Sequence, residues 1–147
     1  MPRLCAIVAA LAVTLAVPLT TSAQAQVYRA RLSVVPIDIP MQATIAGVGS
    51  ASATLKGASL VITGTFTGLK TAATVARVHR SQKPAMRGPA IGDLTVTAAT
   101  SGSINGTIEL TKQQIDDLAA GRLYLQLHSE KAPDGNLWGW LSAETKK

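Results

Sequence analysis

The chain contains two histidines, His79 and His128. Imidazole nitrogens are good ligands for copper and zinc, but both metals usually take three or four ligands. A copper or zinc site built on this pair would need carboxylates or a tyrosine to complete it, and Arg77 sets a fixed positive charge two residues from His79. The alternative is that no cofactor is bound and each ring hydrogen-bonds to the backbone of a neighbouring loop. Cys5 is the one cysteine. Thiolate metal sites and thiol catalysis are therefore excluded for everything after it. Asp116 and Asp117 resemble a carboxylate pair, but adjacent residues on a helix diverge, and acidic groups in a first turn complement the helix dipole. The sequence has no nucleophile elbow and no Gly-rich phosphate loop. These features predict a protein that is not an enzyme.

The second concentration of chemistry is aromatic. Tyr124, Gln126 and His128 alternate with Leu123, Leu125 and Leu127. Further on, Asn136, Trp138 and Trp140 alternate with Leu137, Gly139 and Leu141. Side chains on a strand point to opposite faces in turn, so the leucines predict a core face and the aromatic and polar residues an outward face. Pro133, Asp134 and Gly135 supply turn chemistry between the two runs. In the resulting hairpin one register pairs Tyr124 with Trp140, Gln126 with Trp138 and His128 with Asn136. Rigid aromatic rings with polar edges are favoured at interfaces and stack on planar ligands. The candidate binding face is therefore Tyr124, Gln126, His128, Trp138 and Trp140, flanked by Arg77, with a protein or glycan as partner. It could also serve self-association, or a loop could cover it as a second small core.

The elements that must position these residues are strands. Residues 28–34, 50–55, 60–66, 74–80, 93–98, 106–110, 122–129 and 136–141 read as short strands with alternating or β-branched composition. Pro36 and Pro40 mark an irregular connection. Residues 81–89, with Pro84, Gly88 and Pro89, read as a loop, and Ser101-Gly102-Ser103 and Asn105-Gly106 as turn signals. Thr111 and Gln114 form a capping box that starts one helix carrying Ile115 and Leu118, stopped at Gly121. Residues 144–147 read as a polar, frayed tail. The order predicts an all-β fold: an antiparallel, Greek-key, immunoglobulin-like β-sandwich with one short helix.

The ends and the charge bound the setting. Arg3, an apolar run over 4–19 and the Ala23-Gln24-Ala25 pattern predict a signal peptide over 1–25, cleaved between Ala25 and Gln26. The run is short for a span of about 20 residues, so no stable membrane anchor is expected after cleavage. Residues 26–147 make one domain, exported to the periplasm or secreted and free of disulfides. The net charge is +6, with Arg77, Arg80, Lys83 and Arg87 the only basic cluster. It lacks interleaved aromatics, so no nucleic-acid partner is expected, and it reads as a solvated loop.

Several segments together resemble the CHRD (chordin-type) domain. They are 50–57 (SASATLKG), 62–69 (ITGTFTGL), 76–79 (ARVH), 87–93 (RGPAIGD), 106–110 (GTIEL), 123–128 (LYLQLH) and 133–141 (PDGNLWGWL). The resemblance covers nearly all of 26–147 and lies in the order and spacing of the segments. It implies an extracellular or periplasmic β-sandwich. In animals such repeats occur in a secreted growth-factor antagonist, and in bacteria as small exported proteins, with no enzyme implied. The chain departs from the family pattern at Arg77, which stands where a histidine is usual, at Trp138 in place of arginine, and at Trp140 in place of glutamine.

Overall fold

The computed structural model describes residues 24–144. The expected signal segment lies outside the described residues, except for Gln24 and Ala25. The elements in chain order are β1 (Gln26–Val34), a 3-10 turn (Pro40–Ala43), β2 (Val48–Lys56), β3 (Ser59–Thr67), β4 (Ala73–Arg80), β5 (Ala90–Val96), β6 (Gly102–Glu109), α1 (Lys112–Ala119), β7 (Leu123–Ser129), β8 (Ala132–Trp140) and β9 (Ser142–Ala143). Among the described residues, no helix is long and apolar enough to cross a membrane.

Eight strands close on themselves in the order β1-β2-β3-β6-β5-β4-β7-β8, with β8 returning to β1 and every pairing antiparallel. The links from β3 to β4 and from β6 to β7 each step over two strands. All-β architecture with one short helix is as expected, but the expected two-sheet sandwich is a closed barrel. The sandwich reading fails at two narrow seams. Strands β1 and β8 pair only at Ser33↔Trp138 and Val34↔Leu137. Strands β5 and β6 pair only at Thr95↔Asn105 and Val96↔Ile104. These seams lie on opposite sides of the ring, so the barrel is two four-stranded halves, β1-β2-β3-β6 and β5-β4-β7-β8, joined at both edges. Closure leaves no unpaired edge along the seam residues.

An eight-stranded barrel is just wide enough for side chains to fill it. Tyr28, Leu60, Ile62, Ile104, Leu125 and Leu137 lie in the interior, each under 2% exposed. Alternation assigns these correctly: Tyr28, Ala30 and Leu32 point inward on β1 and Ala76 and Val78 on β4, while their neighbours stay at least partly exposed. The capping box of α1 forms as read, with Gln114 N donating to Thr111 Oγ1 at 3.3 Å and Thr111 N donating to Gln114 Oε1 at 2.8 Å. It starts the helix that seats Leu118 against the barrel core.

Local readings change in four places. Asp116 and Asp117 do not lie in the first turn of α1; Asp117 is buried and its carboxylate sits between Arg80 and Arg122. Asn105-Gly106 is not a turn but lies inside β6, because the chain reverses earlier, at 98–101. The β7–β8 hairpin turns at Glu130-Lys131, not at Pro133-Asp134-Gly135. Glu144 is held rather than frayed: its N–H donates to Val27 O at 2.9 Å and its carboxylate pairs with Arg29 at 3.0 Å.

The Asp117 cluster ties the end of β4 to the helix and to the start of β7. A buried carboxylate removed from its partners leaves uncompensated charge, at a cost of about 3–5 kcal/mol. Arg80 and Arg122 are each about a third exposed and can rehydrate. Asp117→Ala is therefore expected to cost less than that range, about 2 kcal/mol, the scale of lost charge-assisted hydrogen bonds, in urea unfolding followed by circular dichroism. A cost under about 1 kcal/mol would show that the carboxylate does not hold this corner.

Candidate functional site

The candidate face lies on the outside of the β5-β4-β7-β8 half. Strand β7 is its central element, and all seven of its residues are buried. Leu123, Leu125 and Leu127 face the barrel interior and join the main core. The expected register holds for Tyr124↔Trp140 and Gln126↔Trp138. It breaks at His128, because β8 bulges: Leu127 pairs with Leu137 and Ser129 with Ala132, so residues 133–136 of β8 span the single position of His128. Gly135, at φ +126°, supplies the backbone conformation this bend requires.

The bulge folds back over the outer face and presents carbonyls to it. Pro133 O accepts from His128 Nδ1 at 2.7 Å, and Asp134 O accepts from Gln126 Nε2 at 2.7 Å. The 81–89 loop covers the other end. Gly88 O accepts from His79 Nδ1 at 2.8 Å, and Gly88 N donates to Tyr124 Oη at 3.1 Å. A Cβ on Gly88 would overlap the carbonyl of Arg80, so only glycine lets the loop lie this close to β4. Tyr124, Gln126 and His128 are therefore 1%, 3% and 5% exposed. Their side chains are on the predicted face, but that face is roofed, not open.

Beneath the roof the rings pack closely. His79 stacks on Tyr124 at 4.9 Å with a 17° interplanar angle. Trp138 meets Tyr124 edge-on at 5.9 Å, and Trp140 lies 4.7 Å from the same ring. Three of the chain's five aromatic residues are thus outside the barrel. Trp138 and Trp140 are only half-buried. Arg87 lies over Trp138, 5.7 Å from its centroid, and donates to Asp134 O at 3.1 Å. Arg77, across from Gln126, pairs with Asp93 at 3.0 Å. In the basic cluster, then, Arg77, Arg80 and Arg87 have internal partners, whereas the sequence suggested a solvated group.

Each of the two imidazoles leaves one polar atom of this layer unsatisfied. Each Nδ1 faces a carbonyl that can only accept, so each Nδ1 carries the proton and each Nε2 a lone pair. Both Nε2 atoms are buried and have no hydrogen-bond partner. The ring centroids are 6.4 Å apart. Burial, the largest effect, lowers the pKa of both; the carbonyl bonds act in the opposite direction, and the Arg77 charge lowers both further. Among the described residues no group of three or more His, Cys, Asp or Glu comes together that could hold a metal.

Sequence reasoning missed the parts supplied by backbone: the Gly88, Pro133 and Asp134 carbonyls, and Arg87 over Trp138. Gly88 between Arg87 and Pro89 was the available signal, since glycine permits close backbone approach. The opposite half of the barrel also carries a feature the sequence did not announce. It is an open hollow of about 480 Å³ over β1, β2 and β3, floored by small residues such as Ser50, Ala51 and Gly64 and edged by Arg29 and Arg31.

The fold and site define a closed antiparallel β-barrel domain with a covered aromatic–histidine layer on one half. The CHRD domain model matches residues 15–141, and the chain belongs to the CHRD domain family. No curated protein and no solved structure matches the chain.

The lowered histidine pKa values set a pH dependence. In the unfolded chain each imidazole gains a proton near its ordinary value of about 6.5; in the fold each gains it only at lower pH. The unfolded state then binds more protons, so stability is full above about pH 6.5 and falls as pH drops below it. Thermal unfolding at stepped pH should show this loss, and His128→Gln should lessen it. Parallel curves for wild type and variant would remove His128 from the account.

Proposed function

We propose that this protein is an exported, non-enzymatic binding module, periplasmic or secreted, that engages a protein or glycan partner along the open rim of the covered layer. The contact residues are Trp138 and Trp140, with Arg87 and Arg77 beside them. Tyr124, Gln126 and His128 support the indoles from beneath instead of touching the partner. The observation that carries this reading is the incomplete roof. Two tryptophans remain partly in solvent on a rigid strand, and tryptophan beside arginine is the composition that dominates binding hot spots. Such a rim suits a sugar face or an apolar protein segment, with guanidinium groups for polar or anionic substituents.

Both indoles should be quenched by iodide, an anion that the flanking arginines attract. Trp138→Ala with Trp140→Ala should abolish retention on an array of envelope glycans and on envelope proteins while preserving the far-ultraviolet circular dichroism. Indoles as shielded as interior ones, or a partner held equally by the double variant, would end this reading. Export has its own check: the intact mass of the protein recovered from the periplasm or medium should correspond to a chain starting at Gln26, the first residue of β1. A mass retaining the residues before it would reject cleavage between Ala25 and Gln26.

A second reading, copper or zinc binding through His79 and His128, is favoured by one specific observation. Both Nε2 lone pairs are buried and unspent, and an unsatisfied buried polar group is costly to keep.

A further inference from the structure

We propose that His79 and His128 bind one copper(I) ion, held in near-linear coordination between their two Nε2 atoms. This inference rests on the metal reading and narrows it to one oxidation state and one coordination number.

Both histidines are prepared as ligands. Histidines that bind metal usually donate their second ring N–H to a carbonyl or carboxylate, which fixes the tautomer and orients the ring. Here Gly88 O and Pro133 O do this for the two rings at 2.8 and 2.7 Å. The carbonyls come from two separate excursions of the chain, the 81–89 loop and the β8 bulge. Each leaves its imidazole with a free Nε2 lone pair shielded from solvent.

His79 pairs across from Tyr124, and His128 from Val75, so the two histidines are not cross-strand neighbours. Their rings nevertheless approach to 6.4 Å between centroids, with planes inclined by 32°. Two imidazoles that share one ion at about 2 Å per nitrogen put their centroids roughly 6 Å apart when the N–metal–N angle is nearly straight, and roughly 5 Å apart at a tetrahedral angle. The observed centroid separation is that of the straight arrangement, which requires the two Nε2 atoms to face each other.

Charge and ligand number select the ion. Zinc and copper(II) call for three or more ligands, commonly with anionic help, and no third His, Cys, Asp or Glu joins this pair among the described residues. Arg77 opposes positive charge on both rings and Arg87 on His79; Asp93 beside His79 and Asp134 beside His128 act the other way, less strongly. Arg77 is already paired with Asp93. Such surroundings penalise a divalent ion more than a monovalent one. Two neutral imidazoles with solvent-shielded Nε2 atoms suit a soft, filled-shell, monovalent ion that accepts two ligands, and copper(I) is the biological ion of that kind.

The test uses the mature protein under anaerobic conditions, with copper(I) delivered from a bicinchoninate complex and silver(I) as a redox-inert stand-in. The expected result is one equivalent of copper(I) with two nitrogen neighbours by X-ray absorption. Nitrogen-15 spectra should show both Nε2 resonances shifting on silver(I) addition while both Nδ1 keep their protons. His79→Gln and His128→Gln should each weaken copper(I) binding at least a hundredfold, and Val61→Thr, exposed on β3 of the opposite half, should not. The nitrogen shifts need no variant, so a misfolded variant does not spare the proposal. Zinc or copper(II) bound at the histidines more tightly than copper(I) would overturn this inference and leave the metal reading standing. Folded protein that binds none of the three ions, or binds them equally without the histidines, would overturn both.

Discussion

Closure of the barrel is the constraint on which the remaining structure depends. Two four-stranded halves meet at opposite seams of two residue pairs each. With cysteine absent after Cys5, packing and sheet hydrogen bonds must hold the described barrel shut. The interior is therefore filled with large aliphatic side chains on inward positions, and strict alternation follows, because a shift of one residue would turn the leucines of β7 out of the core. Alternation in turn fixes what lies outside. Once Leu123, Leu125 and Leu127 point inward, Tyr124, Gln126 and His128 have no choice of face.

That outer face behaves as a second interior. Tyr124, Gln126 and His128 are as buried as core residues but carry polar atoms, and each buried polar atom needs a partner. The chain supplies most of them from backbone. The loop between β4 and β5 bends back so that Gly88 serves both His79 and Tyr124, and the bulge in β8 turns two carbonyls toward His128 and Gln126. Hydrogen bonding and stacking thus lock the rings without filling the last valence of either imidazole. The indoles at the rim complete the layer and leave it partly open on one side.

Much of this was legible in the sequence, and the limits have physical causes. Periodicity of two located each long strand, though it began β6 four residues late and β5 three residues late, and it placed the hairpin faces correctly, because a one-sided apolar pattern allows only one orientation. The capping box was readable because its two hydrogen bonds are local. Barrel against sandwich was not readable, since the difference is two residue pairs at each seam, between strands far apart in sequence. Pro133-Asp134-Gly135 carries turn residues and does bend the chain, but as a bulge one step beyond the hairpin turn. Asp117 looked like a dipole partner because nothing local reveals Arg80 and Arg122 converging on it. CHRD membership was legible from the order of weak motifs, each uninformative alone. The roof over the candidate site escaped detection because backbone carbonyls leave no mark in side-chain chemistry.

The close seating of Gly88 has a kinetic side. Both Nε2 atoms are sealed from solvent, and one wall of that seal is a loop anchored through a single residue to His79 and Tyr124. For residues 81–89 to lift, the Gly88 contacts and the Arg87 bond to Asp134 O would have to break, while no strand pairing of the barrel need be lost. Such local openings have their own free energy, well below that of global unfolding. For an ion at the proposed site, this opening would set a ceiling on exchange whatever the strength of the bond formed there. A tightly held occupant and a weakly held one would share the same upper limit on how fast they can leave.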